Sequence, residues 1–238
     1  MTLTISERKD MGPACKRARA PSCGWQRAWP IVIVLALAAF TPADVEGSHD
    51  KLQVCGRNDY KKRVEELIAE KLGGTAVVSA IVHTLPIGPE WGVDILRPLE
   101  GPELVLTEFN DSLIAENVRI FGPKSPDESF AKTAVNTVVR RRAISIELAD
   151  KLQALWGKAT SAPQPFGWIC IQCMIYRFKT VEGGCAEAAN TEPGSVSNRL
   201  VTIIDDLREL ARAEDASSAA EQDAAILKAA DKLIQNFH

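Results

Sequence analysis

The sequence lacks the patterns by which most enzymes are recognised. It has no GxSxG nucleophile elbow, and its 238 residues include only three histidines. His83 could serve as the base for a Cys or Ser nucleophile in acyl transfer, but no matching motif accompanies it, so a structural position at the end of a strand is the preferred interpretation. Aromatic residues make up only 6% of the chain, and no internal repeat is visible. We therefore expect one domain of ordinary globular composition, with no catalytic residue, no cofactor and no metal site, and we lean towards a protein that is not an enzyme.

A long hydrophobic run is also missing. The most apolar segment, residues 31–40 (IVIVLALAAF), has about half of the roughly 20 residues that a membrane-spanning helix needs. It follows a basic segment and precedes Thr41-Pro42-Ala43, which is the order of a secretory signal peptide covering residues 1–43. An uncleaved anchor and a translation start at Met11 stay open as alternatives. A lipoprotein is not expected, because no cysteine directly follows the apolar run.

The chain after residue 43 has no excess of basic residues. It contains 22 Lys and Arg against 29 Asp and Glu, a net charge of −7, whereas residues 1–43 carry +4. Nucleic acids and anionic membranes are bound by basic surfaces that displace counterions, so neither is an expected partner. We expect an unknown protein or envelope partner, with membrane contact only through the signal segment before cleavage.

The periodicity of the mature chain predicts an α+β fold. We expect a polar tether over residues 44–57, a single α+β domain over 58–213 and a C-terminal helix over 214–238. Helices are predicted to begin after Asn58 or Asp59, after Ser145 and after Ser195 or Ser197, and Ser218 with Glu221 forms a capping box for the last one. Strands are predicted from alternation and β-branched content over residues 75–85, 91–96, 103–109, 113–121, 135–142, 168–178 and 185–190. Because strands and helices do not alternate regularly, we expect an antiparallel sheet with helices packed on one side, plus the C-terminal helix.

Three segments resemble a family of small exported bacterial proteins that has no assigned function. They are VVRRRAISIELADKLQALW, the aromatic strand that ends in IYRF, and the Pro-Gly-Ser turn before RLVTIIDDL, together spanning about residues 103–211. The chain departs from the family pattern where an Asp-Gly pair and a Tyr-His dipeptide are usual, since Arg177 stands in place of that His. The resemblance implies the fold and export, and it carries no activity.

Four cysteines remain after the signal segment, and an oxidising compartment would let them pair. Cys170 and Cys173 have CxxC spacing but lie in a predicted strand, where residues three apart face opposite sides, so we expect neither a redox pair, a zinc site nor a bond between them. Cys173 should be buried. Cys55 is free to reach the sheet, and the predicted pairing is Cys55 with Cys185 or Cys55 with Cys170.

The densest basic cluster in the mature chain is Arg140-Arg141-Arg142. Strand alternation places Arg140 and Arg142 on one face and Arg141 on the other. Arginines that keep a sheet edge from pairing with other chains are one interpretation, and a contact to an anionic or acidic partner through Arg140 and Arg142 is the other.

The remaining titratable residues are predicted to be structural. His83 should end a strand, and the acidic pairs Asp205-Asp206 and Glu65-Glu66 should lie on the solvent side of helices. The sequence therefore favours an exported, periplasmic or secreted protein that acts as a non-enzymatic binding or structural module of the cell envelope. The alternative is a secreted hydrolase whose site is too scattered to recognise.

Overall fold

The computed structural model describes residues 52–84, 88–123, 126–164, 173–189 and 191–237. The expected signal segment and the first part of the tether lie outside these residues. Within the described part of the chain, seven strands form one sheet, and each neighbouring pair is antiparallel. The strands are β1 (Gln53–Val54), β2 (Ala76–Thr84), β3 (Trp91–Leu96), β4 (Glu103–Phe109), β5 (Thr137–Ala143), β6 (Met174–Thr180) and β7 (Cys185–Ala189).

The order of strands across the sheet is β1-β7-β6-β2-β3-β4-β5. The helices are α1 (Asp59–Leu72), α2 (Leu113–Phe121), α3 (Ile146–Ser161), α4 (Val196–Arg212) and α5 (Ala216–Ile234), and a 3-10 helix covers Asp127–Lys132. The predicted α+β fold with an antiparallel sheet and a C-terminal helix is thus confirmed.

The main core lies between one face of the sheet and helices α3 and α4. Leu148, Leu152 and Leu155 of α3 and Leu200 and Ile204 of α4 are fully buried there. Helix α5 packs outside α3 and α4 and adds Ile226, Ala230 and Leu233 to the same core. The C-terminal helix is therefore an integral layer of the domain.

The first helix packs on the opposite face of the sheet, where the sequence analysis placed none. Val64, Leu67 and Ile68 of α1 form a second apolar cluster with Ile81 of β2, and Leu113 of α2 joins it. Gly92 of β3 permits this close approach, because a Cβ there would lie 2.9 Å from the Ile68 side chain. Helices consequently cover parts of both faces, and the expectation that they pack on one side was wrong.

The helix starts follow local capping chemistry. The side chains of Asn58, Ser145 and Ser195 accept hydrogen bonds from backbone N–H groups three residues on, which begins α1, α3 and α4. Gly73, at φ 67°, ends α1 in the left-handed conformation that favours glycine. For α5 the predicted capping box was wrong, because Asp215 accepts the Ser218 N–H and the helix begins at Ala216.

Helix α2 replaces a predicted strand. A short apolar run does not distinguish helix from strand, and a contact from elsewhere in the chain decides it here. The Glu90 carboxylate accepts the Leu113 N–H over 2.9 Å and so satisfies a free donor at the start of α2. In the middle of the helix, Asn117 donates to Ser129 and Thr133 in the segment that contains the 3-10 helix.

The end of the predicted tether belongs to the domain. Gln53 and Val54 form β1 against β7, and Cys55 is bonded to Cys185 with a Cα separation of 5.8 Å. The tether prediction is therefore wrong for residues 53–55. The prediction failed because the disulfide and the strand pairing fix these residues in the domain. Local composition reveals neither of these long-range contacts.

Candidate functional site

Strand β5 is an edge of the sheet, and alternation divides its three arginines between the two faces. Arg140 and Arg142 lie opposite Leu106 and Leu104 of β4, whose side chains belong to the core under α3 and α4. Arg141 lies opposite Val105, which contacts Leu72 of α1 on the other face. The division between the two faces agrees with the alternation of the sequence, and the triplet lies on an edge strand.

Arg141 has an internal structural role. Its guanidinium donates to the carbonyl oxygens of Leu72 (2.6 Å) and Lys71 (3.1 Å), which are unpaired acceptors at the end of α1. It also pairs with Glu103 over 2.7 Å. Arg141 therefore ties the edge strand to α1.

Arg140 and Arg142 differ in their contacts within the protein. Arg142 donates to the carbonyl oxygen of Ala213, in the link between α4 and α5. Arg140 reaches the Glu108 carboxylate only at 3.9 Å, and half of its side chain (50%) is exposed. Arg140 is consequently the residue of the triplet that an external group can approach most easily.

Glu108 of β4 also forms ion pairs with two arginines of α4. Arg208 donates to its carboxylate over 2.6 Å and stacks 4.3 Å above the Trp91 ring, and Arg212 donates to the same carboxylate. Although partial burial opposes the shift, hydrogen bonds from Arg212 and Arg208 hold the Glu108 pKa below its usual range. Glu108 stays ionised and keeps these guanidinium groups together.

We call Arg140, Arg142, Arg208 and Arg212 the arginine edge. The acidic residues that interact with it are Glu108, Glu209 and Asp205, so four positive charges face three negative ones. Val138, on the same face of β5, is 41% exposed beside it. Residues 44–238 have a net charge of −7, and yet this sheet edge has a local positive surface.

A buried charge cluster lies between α1 and strands β6 and β7. Glu187 of β7 is fully buried and accepts hydrogen bonds from Lys61 (2.8 and 2.9 Å) and from Arg177 (2.8 Å). Arg177 also donates to Glu65 and to the Gly56 carbonyl, and Lys179 pairs with Glu65 over 2.7 Å. Burial outweighs these partners at Lys61 and lowers its pKa.

The expectation for Glu65 was therefore wrong, because this residue pairs with two cations of β6 and is not simply on the solvent side of α1. Burial alone would raise the Glu65 pKa, but the hydrogen bond from Lys179 and the charge of Arg177 lower it. The cluster joins α1, β6, β7 and the segment of Cys55. Its geometry is suited to holding these elements in place.

His83 lies on the same face as this cluster and is fully buried. Its ring packs 5.6 Å from that of Tyr60, and neither ring nitrogen has a hydrogen-bond partner. Burial, with the nearby charges of Arg177 and Lys61, lowers its pKa well below the usual value. His83 is a neutral core residue, which gives no support to a role as a base acting on bound substrate.

The cysteines bear on the cellular compartment. A disulfide was expected, and the structure contains one between Cys55 and Cys185, across 130 residues of chain. This bond is compatible with an oxidising, exported location. Cys173 is buried and is also disulfide-bonded. Cys170 lies outside the described residues, so the exclusion of a Cys170–Cys173 bond stays a prediction.

Sequence reasoning missed the buried charges. Arg177, Glu187 and Asp94 each stand in a short strand of otherwise largely apolar residues, and each is at least 95% buried. A single charged residue at an inward position of such a strand was the available signal, because a buried charge needs a partner. The partners themselves come from distant segments and were not recognisable in advance.

The chain has no match among protein-family models, curated proteins or solved structures. The resemblance to exported bacterial proteins stays a prediction. In the part of the chain that the structure describes, none of the helices combines the length and apolarity needed to cross a membrane.

Proposed function

We propose that this protein is an exported, non-enzymatic binding module of the cell envelope that holds an acidic, extended segment of a partner protein along the arginine edge. The observation that carries the proposal is the position of Arg140, half exposed on edge strand β5 beside Arg142, Arg208 and Arg212. The disulfide supports periplasmic or secreted action, because such bonds persist in oxidising compartments.

Two features of the arginine edge favour an extended acidic segment. Among the residues that the structure describes, strand β5 pairs only with β4, so its other edge can accept an added strand. The net positive charge complements acidic side chains, and guanidinium groups bind carboxylates in a two-pronged geometry. The exposed Val138 adds an apolar contact next to these charges. Protection of the edge against aggregation is the competing role.

The test measures binding of a fluorescent oligoglutamate peptide by anisotropy, at about 50 and 300 mM salt. We expect saturable binding that Arg140→Gln/Arg142→Gln weakens at least tenfold and that the higher salt also weakens. The matched control is Arg119→Gln, which removes a well-exposed arginine from α2. Unchanged peptide binding together with increased aggregation of the double variant would show that these arginines only protect the edge.

A further inference from the structure

A small cleft lies between α1 and the sheet, separate from the arginine edge. Its volume is about 210 Å³, and its walls include Ile68 and Leu72 of α1 and Ile81 of β2. We call it the α1 cleft. At roughly 30 Å³ per water, it has space for about seven waters, or for a ligand with a few heavy atoms.

A row of three polar residues crosses the sheet at this cleft. Lys179 of β6 and Asp94 of β3 lie directly opposite Ser79 of β2, one on either side of it. Directly paired residues project to the same face of a sheet, and all three line the cleft. The row therefore places three polar groups, beside Glu65 and Thr180, in a cavity whose wall surface is mostly apolar.

Asp94 is the residue of this row that lacks sufficient partners. It is 1% exposed, and Ser79 donates a hydrogen bond to its carboxyl group. The other oxygen, Oδ2, has no hydrogen-bond partner. An unsatisfied buried carboxylate is costly, and Asp94 lines the cleft, so a ligand that donates to this carboxylate would remove the cost.

The charges around Asp94 favour a cationic donor. The titratable groups that line the cleft with it are Lys179 from β6 and Glu65 from α1, and these two pair with each other over 2.7 Å. Arg141 of β5, two strands away, is held by Glu103 and the end of α1. The Lys179 charge acts on Asp94 from two strands away, but among the described residues no cation forms an ion pair with Asp94. Burial raises its pKa to about 7.

We infer that the α1 cleft binds a short primary aliphatic ammonium group, which donates to Asp94 Oδ2 and lays its methylene chain along Ile68, Leu72 and Ile81. The group has two chemical sources, a free alkylamine or the lysine side chain of a partner. This inference does not depend on the arginine edge, because the two sites lie at different parts of the sheet.

The experiment titrates the mature, oxidised protein with n-butylammonium chloride by calorimetry at pH 8. For a ligand of five heavy atoms we expect saturable binding with Kd of roughly 1 mM. Nα-acetyl-lysine amide separates the two sources, since a cleft that accepts a partner's lysine binds it at least as tightly as the free amine. n-Butanol has the same alkyl chain without the positive charge, and we expect it to bind at least tenfold more weakly than n-butylammonium.

Asp94→Asn should weaken n-butylammonium binding at least tenfold, and Asp150→Asn, an exposed carboxylate on α3, should leave it unchanged. Lowering the pH from 8 to 6 should weaken binding to the unmodified protein about tenfold, because Asp94 becomes protonated while the amine stays charged. Glu65 and His83, with lowered pKa values, do not change charge in this range. No saturable heat at pH 8, equal binding of butanol, or binding independent of both pH and Asp94 would overturn the inference.

Discussion

Arg177 and Glu187 lie directly opposite each other on β6 and β7, and Arg177 Nε donates to Glu187 Oε1 over 2.8 Å. Lys61, from α1, binds both oxygens of the same carboxylate. One buried anion therefore faces two buried cations from separate elements. Because any shift of α1 would leave a charge unpaired, this arrangement specifies where the helix docks on the sheet.

Glu187→Gln should destabilise the protein strongly. The substitution keeps the shape of the side chain but leaves Lys61 and Arg177 without their shared anion, and removing one partner of a buried pair costs about 3 kcal/mol or more. Urea denaturation measures the loss. Glu66→Gln breaks longer pairs with Lys62 and Arg63 near the surface, and Arg63 keeps Glu70 as a partner, so stability should change by less than about 1 kcal/mol. Similar losses for both variants would contradict the assignment.

Asp94 should make stability fall as the pH rises. Its folded pKa of about 7 lies above the ordinary value of 3.8, so the stabilisation is complete below about pH 4 and is lost as the pH rises through 7. The loss amounts to at most about 4 kcal/mol at pH 8. Asp94→Asn should therefore match the unmodified protein at pH 4 and exceed its stability at pH 8.

The control for this pH effect is Asp150→Asn, which changes an exposed carboxylate. Urea midpoints at pH 4, 6 and 8 provide the comparison. If the difference between Asp94→Asn and the unmodified protein does not change with pH, Asp94 does not titrate as its burial requires.

Arg141→Ala should destabilise the fold more than Arg140→Ala. Arg141 satisfies two carbonyls at the end of α1 and pairs with Glu103, so its loss should cost about 1 kcal/mol. Arg140 makes only a long contact to Glu108, and its removal should cost less than about 0.5 kcal/mol. Thermal unfolding distinguishes the two, and an equal effect would show that Arg141 does not hold α1.

Peptide mapping of unreduced, exported protein should recover a fragment that joins Cys55 to Cys185. Replacing both residues by serine should cost about 2 to 4 kcal/mol, because the bond closes a long loop in the unfolded chain. Cys55 joined to another cysteine would contradict the pairing. Free thiols at Cys55, Cys170, Cys173 and Cys185 after export would contradict the oxidising location.

N-terminal sequencing of the secreted protein should show cleavage near Ala43, because the apolar run is short and this small residue follows it closely. Expression of the full chain with a C-terminal tag would provide both precursor and product. A membrane-bound protein that retains residues 31–40 would show that the anchor alternative is correct.

The sequence by itself determined the features that depend on neighbouring residues. Asn58, Ser145 and Ser195 cap helices because each side chain reaches an N–H three residues on, and alternation split the three arginines of β5 between two faces. These relationships need only a few consecutive residues. The α+β class followed from them.

Only the tertiary structure decided the features that depend on distant residues. Leu113 begins a helix because Glu90 accepts its N–H, and Glu65 turns from solvent towards Arg177 and Lys179. Asp94 has a buried, unpaired oxygen and lies in a cleft that α1 forms with the sheet, and the sequence near Asp94 does not indicate this. Burial and charge pairing join segments that are far apart in the chain, so local patterns do not contain them.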